Sequence, residues 1–227
     1  YAWNASWGVS WRLIGALVMV HGDDKGLILP PMVAPTQLIL IPIFYSTEDK
    51  ERVMRKSFEL VGMLEEAGVR CEIDDRSEYT PGWKFNQWEM KGVPVRVELG
   101  PKDLQEGVVT VARRDTGTRE KVRLEESVTR VKQILEDVQR SLFAKAKRYL
   151  DEHITDARTY EEFQALLEEK GGFIRAAWCG RRECEEAIKE ETGATIRVIP
   201  FNGEKAQGRC VFCDREGGSV AFFAKAY

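Results

Sequence analysis

The sequence predicts a multidomain protein in which an α/β domain is followed by a smaller α+β domain. Three observations support this fold class. The chain has 227 residues, more than the ~100–200 that are usual for one domain. Strand-like and helix-like patterns alternate through its first half, as in α/β layers with partly parallel strands. After a long amphipathic helix, shorter helices and strands lead to a hairpin rich in glycine and aromatic residues.

The first element is an apolar helix, predicted over residues 11–20 as a buried helix that ends before Gly22. A domain boundary is placed near Pro35, because prolines punctuate the chain just before a β-rich run. The pattern then predicts strands over residues 37–44, 69–73, 93–99 and 108–113, with helices over residues 47–67 and 83–90. Such alternation favours an α/β layer fold.

A long amphipathic helix is predicted over residues 125–149, and it is expected to link two domains. Beyond it, the pattern predicts helices over residues 160–168 and 182–191, strands over residues 173–178 and 195–199, and a final hairpin. These elements suit a small α+β unit.

Composition and charge exclude several classes of protein. With 43% hydrophobic and 31% charged residues, the chain has the composition of an ordinary folded soluble protein. A net charge of −3 excludes a strongly basic coat for nucleic acid, although clustered Lys and Arg can still bind a phosphate backbone. The longest uncharged apolar run, residues 13–20, is far shorter than the ~20 residues that cross a bilayer, so no membrane association is expected. The chain carries no secretory signal pattern and is interpreted as a piece of a longer protein.

The cysteines provide the strongest chemical signal in the sequence. Cys179 and Cys184 form one close pair, and Cys210 and Cys213 form a second. Two such pairs can present four thiolates to one structural Zn²⁺ ion. The alternative is four buried or free cysteines that never meet. Cys71, in a predicted strand, is interpreted as a core residue, and an odd total of five cysteines favours a reducing cytoplasmic location over a disulfide framework.

The two histidines have weaker interpretations. His21, at a predicted helix end, could bind a substrate or cap carbonyl groups, and His153 is expected to be solvated. The sequence has no Ser-His-Asp arrangement, P-loop or GxGxxG motif, so hydrolase and Rossmann interpretations have no support.

Several blocks carry a resemblance to a known family. They are SWGVSWRLIGA at residues 6–16, HGDDKGL at 21–27, LPPMVAP at 29–35, TPGWKF at 80–85, KGVP at 91–94, RVELGPKDL at 96–104 and FAKAY at 223–227. The chain resembles prolyl-tRNA synthetases of the archaeal and eukaryotic class II type, and the first block resembles their motif 3. The resemblance runs the length of the chain.

The resemblance implies a role for residues near the start of the chain. Arg12 occupies the place of the motif 3 Arg, which grips the γ-phosphate of ATP, a task suited to a permanently charged planar fork. Ser6, Trp7, Gly8 and Ser10 are implied to line the aminoacyl-adenylate pocket, with core packing as the alternative for Trp7. The carboxylate of Tyr227 is implied to fold back toward the segment that bears Arg12.

The middle domain of the family reads the anticodon. Proline anticodons end in two guanines, whose N1–H and N2–H suit a carboxylate and whose O6 and N7 suit Arg or Lys. Glu89, Arg96, Lys102 and Asp103 match the positions of the family that read guanine, and Lys84 is expected to support binding of all tRNAs alike. The alternative is a solvated cluster of mixed charge at strand ends.

The resemblance also implies domains and an activity. Residues 1–34 would be the end of a class II catalytic domain with a remnant of its antiparallel sheet, residues 35–124 an anticodon-binding domain with a mixed five-stranded sheet, and residues 125–227 the linker helix and a zinc-binding α+β domain. The parent enzyme would join proline to tRNA(Pro) with ATP and Mg²⁺ as a homodimer. Motifs 1 and 2 have no counterpart here, so this chain alone is expected to be inactive. Two alternatives are a non-catalytic tRNA-binding or regulatory protein and a small zinc-stabilised interaction module.

Overall fold

The computed structural model describes residues 2–201, 206 and 208–225. The chain divides into two compact units, Tyr1–Ala146 and Lys147–Tyr227. No helix in the described part of the chain has the length and apolar character needed to cross a membrane.

The start of the chain forms a helix, α1, which spans Arg12–His21 and ends at Gly22 as predicted. The prediction that this helix is buried is wrong, since none of its ten residues, all described, is buried. Described residues 2–34 contain no strand of an antiparallel sheet, and their only bridge joins Asp23 to Gly26. The physical reason is that residues 2–10 have no regular secondary structure and no strand ladder pairs with them among the described residues.

The first unit is built on the mixed five-stranded sheet that was expected. Its strands are β1 (Leu38–Pro42), β2 (Cys71–Ile73), β3 (Val95–Leu99), β4 (Val108–Arg113) and β5 (Arg119–Arg123). They lie in the order β2-β1-β3-β4-β5. β1 runs parallel to β2 and β3, whereas β3, β4 and β5 pair antiparallel. The prediction of partly parallel pairing is therefore confirmed.

Besides α1, four α-helices of the described residues belong wholly or partly to this unit: α2 (Thr47–Glu66), α3 (Pro81–Met90), α4 (Pro101–Glu106) and α5 (Ser127–Glu152). Local chemistry fixes two of their starts, because the side chains of Ser46 and Thr80 accept hydrogen bonds from backbone N–H groups in the first turns of α2 and α3. Alternation along β1 separates two apolar layers. Leu38 and Leu40 pack with residues of α2 and α5, whereas Ile39 and Ile41 pack with residues of α3.

Helix α5 was predicted to link two domains, and much of it packs in the core of the first unit. Val131, Ile134, Leu135, Val138 and Leu142 are buried there. The division between the two compact units falls after Ala146, within the helix.

The second unit is a small α+β domain, as expected. It contains β6 (Ile154–Ala157), α6 (Tyr160–Glu169), β7 (Phe173–Trp178), α7 (Arg182–Thr192), β8 (Ala194–Val198) and β9 (Ser219–Lys225). The strands lie in the order β6-β7-β9-β8, with β6 parallel to β7 and the other pairs antiparallel. Its core is centred on Phe163 and Phe223, whose rings meet edge to face with centroids 5.3 Å apart.

Candidate functional site

The four paired cysteines come together in the second unit. Cys179 follows β7, Cys184 lies in the first turn of α7, and Cys210 and Cys213 lie in the turn that precedes β9. Their sulfur atoms all lie within 4.8 Å of one another, and Sγ of Cys179 is 3.6 Å from that of Cys184 and 3.8 Å from that of Cys213. A tetrahedral site with Zn–S bonds of about 2.3 Å places sulfur atoms roughly 3.8 Å apart. The prediction that the two pairs meet is confirmed, and their geometry suits a structural zinc ion.

Backbone contacts and burial shift the pKa values of the thiols in this cluster. Burial raises the pKa of the Cys184 thiol, whereas a backbone hydrogen bond from Arg215 lowers the pKa of Cys213 to about 7. The turn is held to the sheet, since the backbone N–H of Val211 donates to the carbonyl of Ala177 at 2.9 Å. The remaining cysteine, Cys71, packs against the core of the first unit, and burial raises its pKa to about 12, which fits the prediction of a core residue.

A second polar cluster lies on the face of the first sheet that α3 covers. Arg96 of β3 faces Ala112 of β4, which in turn faces Arg119 of β5. Because Ala112 is small, the two guanidinium groups share Glu98: its Oε1 accepts from Nε of Arg96 at 3.0 Å and from Nη2 of Arg119 at 2.9 Å. The ring of Phe85 lies 4.3 Å and 5.7 Å from the two guanidinium carbons. The site thus presents two oriented cations beside an aromatic face.

This cluster borders a cavity of about 180 Å³. Its charged lining residues are five cations and one carboxylate, and the full lining is Lys25, Ile39, Trp88, Glu89, Val93, Arg96, Ala112, Arg113, Arg114, Gly117 and Arg119. Several of these cations are already paired, because Arg113 binds Asp115 at 2.8 Å and Arg114 binds Asp23 at 2.5 Å. A small cavity with this charge pattern suits the polar edge of a nucleobase next to a phosphate backbone.

The structure places the predicted guanine-reading residues at two separate positions. Glu89 and Arg96 both line the cavity. Lys102 and Asp103 lie on α4, after the far end of β3, and do not line it. The carboxylate of Asp103 accepts the backbone N–H of Gly100 at 2.9 Å, so it stabilises the start of α4.

Lys84 does not match its expected role as a general tRNA contact. Its side chain is only 4% exposed, and its Nζ donates to the carbonyl of Asp74 at 2.9 Å. Asp74 is itself buried and accepts from Arg76 and from Nε1 of Trp88. Lys84 is therefore a structural residue, because a buried carboxylate requires cations and donors around it.

The residues implied to bind substrates near the start of the chain are solvent-exposed. Ser6, Gly8, Ser10 and Arg12 are exposed, and Trp7 is 96% exposed, so Trp7 does not pack in a core formed by the described residues. They lie outside the cavity described above. Tyr227 lies outside the described residues.

The two histidines differ in their surroundings. Nδ1 of His21 is buried without a hydrogen-bond partner among the described residues, and burial, helped by the charge of Lys145, lowers its pKa. Carbonyl capping by that nitrogen is thus not observed. Nδ1 of His153 lies 2.7 Å from the carbonyl oxygen of Tyr149, and the two rings stack with centroids 4.0 Å apart.

Sequence reasoning missed three residues that line the cationic cavity, Lys25, Arg114 and Arg119, and two that contact its guanidinium groups, Phe85 and Glu98. One signal was available, since Arg96 and Glu98 alternate on β3 and so share a face. The contribution of Lys25 had no such signal, because it depends on a contact 64 residues away along the chain.

Comparisons with known proteins agree with this geometry. Residues 37–134 match the anticodon binding domain family, and residues 160–227 match the family described as prolyl-tRNA synthetase, C-terminal. The whole 227-residue chain aligns with 47% of a proline–tRNA ligase from Cenarchaeum symbiosum, and the two are 49% identical over this region. Identity is 45% to the protein of the same name from Alkaliphilus oremlandii and 46% to that from Natranaerobius thermophilus, with 46% and 47% of those proteins covered. The chain therefore spans about half the length of the relatives it matches.

Proposed function

The chain belongs with the prolyl-tRNA synthetases as the C-terminal part of such an enzyme, and on that premise we propose that the whole protein attaches proline to tRNA(Pro). In this proposal, the first unit reads the anticodon and the second unit is a zinc-stabilised domain. The cavity beside Glu89 and Arg96 is the observation that carries the proposal.

Guanine fits the charges of this cavity. Its N1–H and N2–H lie side by side and can both donate to one carboxylate. Glu89 supplies that carboxylate, and its side chain is 31% exposed and therefore accessible to a base. Arg96 is held in a fixed orientation by Glu98 and by the ring of Phe85, so its free N–H groups can donate to a base acceptor or a phosphate. Lys102 and Asp103, beyond the other end of β3, are proposed to contact the neighbouring guanine.

The four cysteines are proposed to hold a structural zinc ion. Its four sulfur ligands would be Cys179, Cys184, Cys210 and Cys213. Four protein ligands leave no open position for a substrate, which is typical of a structural rather than a catalytic zinc site. When bound, zinc would cross-link the segment after β7, the start of α7 and the turn before β9.

Catalysis is proposed for the whole protein rather than for this chain. Arg12 would neutralise the γ-phosphate of Mg-ATP, and Ser6, Trp7, Gly8 and Ser10 would line the adenylate pocket, in an enzyme that acts as a homodimer. The exposure of these five residues is consistent with a pocket whose other walls come from elsewhere in that enzyme. The chain alone is then expected to show no ATP-pyrophosphate exchange.

The test measures binding of this 227-residue chain to hairpin RNAs whose loops carry either two adjacent guanines or two adenines. Glu89→Ala and Arg96→Ala should each weaken binding to the guanine hairpin by ~1–3 kcal/mol, because each removes a base-edge contact. The loss should disappear with adenines. Glu66→Ala, which removes an exposed carboxylate at the end of α2, is the matched control and should change neither affinity.

Equal losses for both hairpins would show that Glu89 and Arg96 do not read guanine. Failure of the unaltered chain to distinguish the two hairpins would remove the proposed anticodon function altogether.

A further inference from the structure

The segment HGDDKG at residues 21–26 forms a hydrogen-bonded turn to which the proposed function assigns no role. The backbone groups of Asp23 and Gly26 exchange two hydrogen bonds of 3.0 Å, and the N–H of Lys25 donates to Oδ1 of Asp23 at 2.9 Å. Gly26 has a φ of +131°, and a Cβ atom there would lie 2.5 Å from the carbonyl oxygen of Met90. This turn therefore packs closely against the end of α3, one residue from Glu89.

Two ties connect the turn to Glu89 itself. Asp23 holds both terminal nitrogens of Arg114, whose Nε donates to the backbone carbonyl of Glu89 at 2.8 Å. Arg114 is only 4% exposed at its side chain, so this tie is structural. The second tie is at the surface: Nζ of Lys25 lies 3.4 Å from Oε1 of Glu89.

The exposure of the cavity cations identifies the one that is placed to act beside Glu89. Arg96 and Arg113 are 14% and 21% exposed and are held by their own carboxylates. Arg119 is 52% exposed but is bound to Glu98. Lys25 is 69% exposed and pairs with the carboxylate that is proposed to read guanine. A base that reaches Glu89 must therefore also meet the ammonium group of Lys25.

We propose that Lys25 is a specificity-determining residue for guanine: its ammonium group donates to O6 while Glu89 accepts N1–H and N2–H. This inference rests on the proposed function of the cavity. On the guanine edge, O6 adjoins N1, so a carboxylate and an ammonium group in contact match the order of acceptor and donor. Adenine carries an amino donor where guanine has O6, so it would place a donor against the ammonium group and be rejected.

The experiment uses the 227-residue chain and three hairpin RNAs with guanine, 6-thioguanine or inosine at the anticodon position that Glu89 reads. Lys25→Met should weaken binding to guanine about tenfold, as expected for loss of one base-edge contact. The loss should fall below about threefold with 6-thioguanine, where sulfur is a poor acceptor, and should persist with inosine, which keeps O6 and lacks only the amino group. Lys25→Arg keeps a donor and should retain most of the affinity.

Lys132→Met is the matched control, since it removes an exposed cation of the same unit on α5. It should change binding to all three RNAs equally and slightly, through long-range charge alone. Equal weakening of all three RNAs by Lys25→Met would overturn the assignment and reduce Lys25 to a general electrostatic contact.

The outcome separates this inference from the function on which it rests. If Glu89→Ala abolishes guanine preference and Lys25→Met does not alter it, the role of Lys25 is wrong and anticodon reading stands. If the unaltered chain shows no guanine preference, the proposed function itself fails.

Discussion

Asp74 shows, at the scale of single residues, why a charged side chain near a binding motif need not be a ligand contact. Burial alone would raise the pKa of Asp74, but hydrogen bonds from Arg76 and Trp88 and the charges of Lys84 and Arg76 outweigh it and lower the pKa to about 2. Burial lowers the pKa of Lys84, and Asp74 opposes this. The sequence shows Lys84 within TPGWKF but cannot show that the side chain turns inward, because its partner Asp74 lies ten residues earlier, directly after β2.

The low pKa of Asp74 predicts a loss of stability in acid. Because its folded pKa lies below the unfolded value of about 3.9, the carboxylate stabilises the fold above about pH 4, and this contribution disappears as the pH falls toward about 2. The full contribution, about 1.4 kcal/mol for each unit of the pKa difference, is on the order of 2–3 kcal/mol. Urea unfolding at a series of pH values should therefore show a shallower decline below about pH 4 for Asp74→Asn than for the unaltered chain.

Asp137→Asn is the control for this measurement, since Asp137 forms an exposed ion pair with Arg140 on α5. It should leave the acid limb of the stability curve unchanged. A curve for Asp74→Asn that is parallel to that of the unaltered chain would place the acid sensitivity in other carboxylates.

At the scale of elements, the success of prediction follows the strength of the hydrophobic pattern. β1 is an uncharged apolar strand buried along its length, and its existence was predicted from the sequence. β5, with the sequence REKVR, was not predicted, because it lies at a sheet edge where one buried Val122 leaves almost no apolar pattern. α4 and β6 were also missed, and they have only six and four residues.

The close packing of the turn at residues 23–26 can be tested by a substitution that adds one methyl group. Gly26→Ala should destabilise the first unit by more than ~1 kcal/mol, because the new Cβ atom would meet the carbonyl oxygen of Met90 at 2.5 Å and the φ of +131° is itself unfavourable for alanine. It should also weaken binding of guanine RNA, since Lys25 and Asp23 belong to the same turn. Equilibrium unfolding and RNA titration measure the two effects.

Gly68→Ala provides the comparison, since Gly68 has a φ of +85° and open space around its Cα. It should cost only the backbone strain of about 1 kcal/mol and leave RNA binding unchanged. Equal effects of the two substitutions would mean that the close approach to Met90 has no energetic consequence.

At the scale of the whole molecule, the sequence predicts the two sheets and the cysteine cluster better than it predicts the cationic cavity. The cysteine cluster can be predicted because two short spacings each place a pair of thiols close together, and the two pairs meet. The cavity combines Lys25, Glu89, Arg96 and Arg119, which come from a turn, a helix and two strands. Its assembly depends on strand register and on side-chain orientation, which composition and periodicity do not encode.

The placement of all four clustered cysteines in the second unit predicts that metal removal affects the two units differently. The metal-replete chain should contain about one zinc ion, and chelation should unfold the second unit, because site formation and local folding are coupled. Among its residues, the first unit has Cys71 as its single cysteine, and it should keep its own thermal transition.

Elemental analysis and calorimetry with and without chelator measure this prediction. Cys71→Ala is expected to preserve the chelator response, and Cys184→Ser is expected to abolish it. Zinc content well below half an equivalent per chain would contradict the proposal that the cysteine cluster binds a structural zinc ion. A chelator that lowered both transitions together would show that the two units unfold as one.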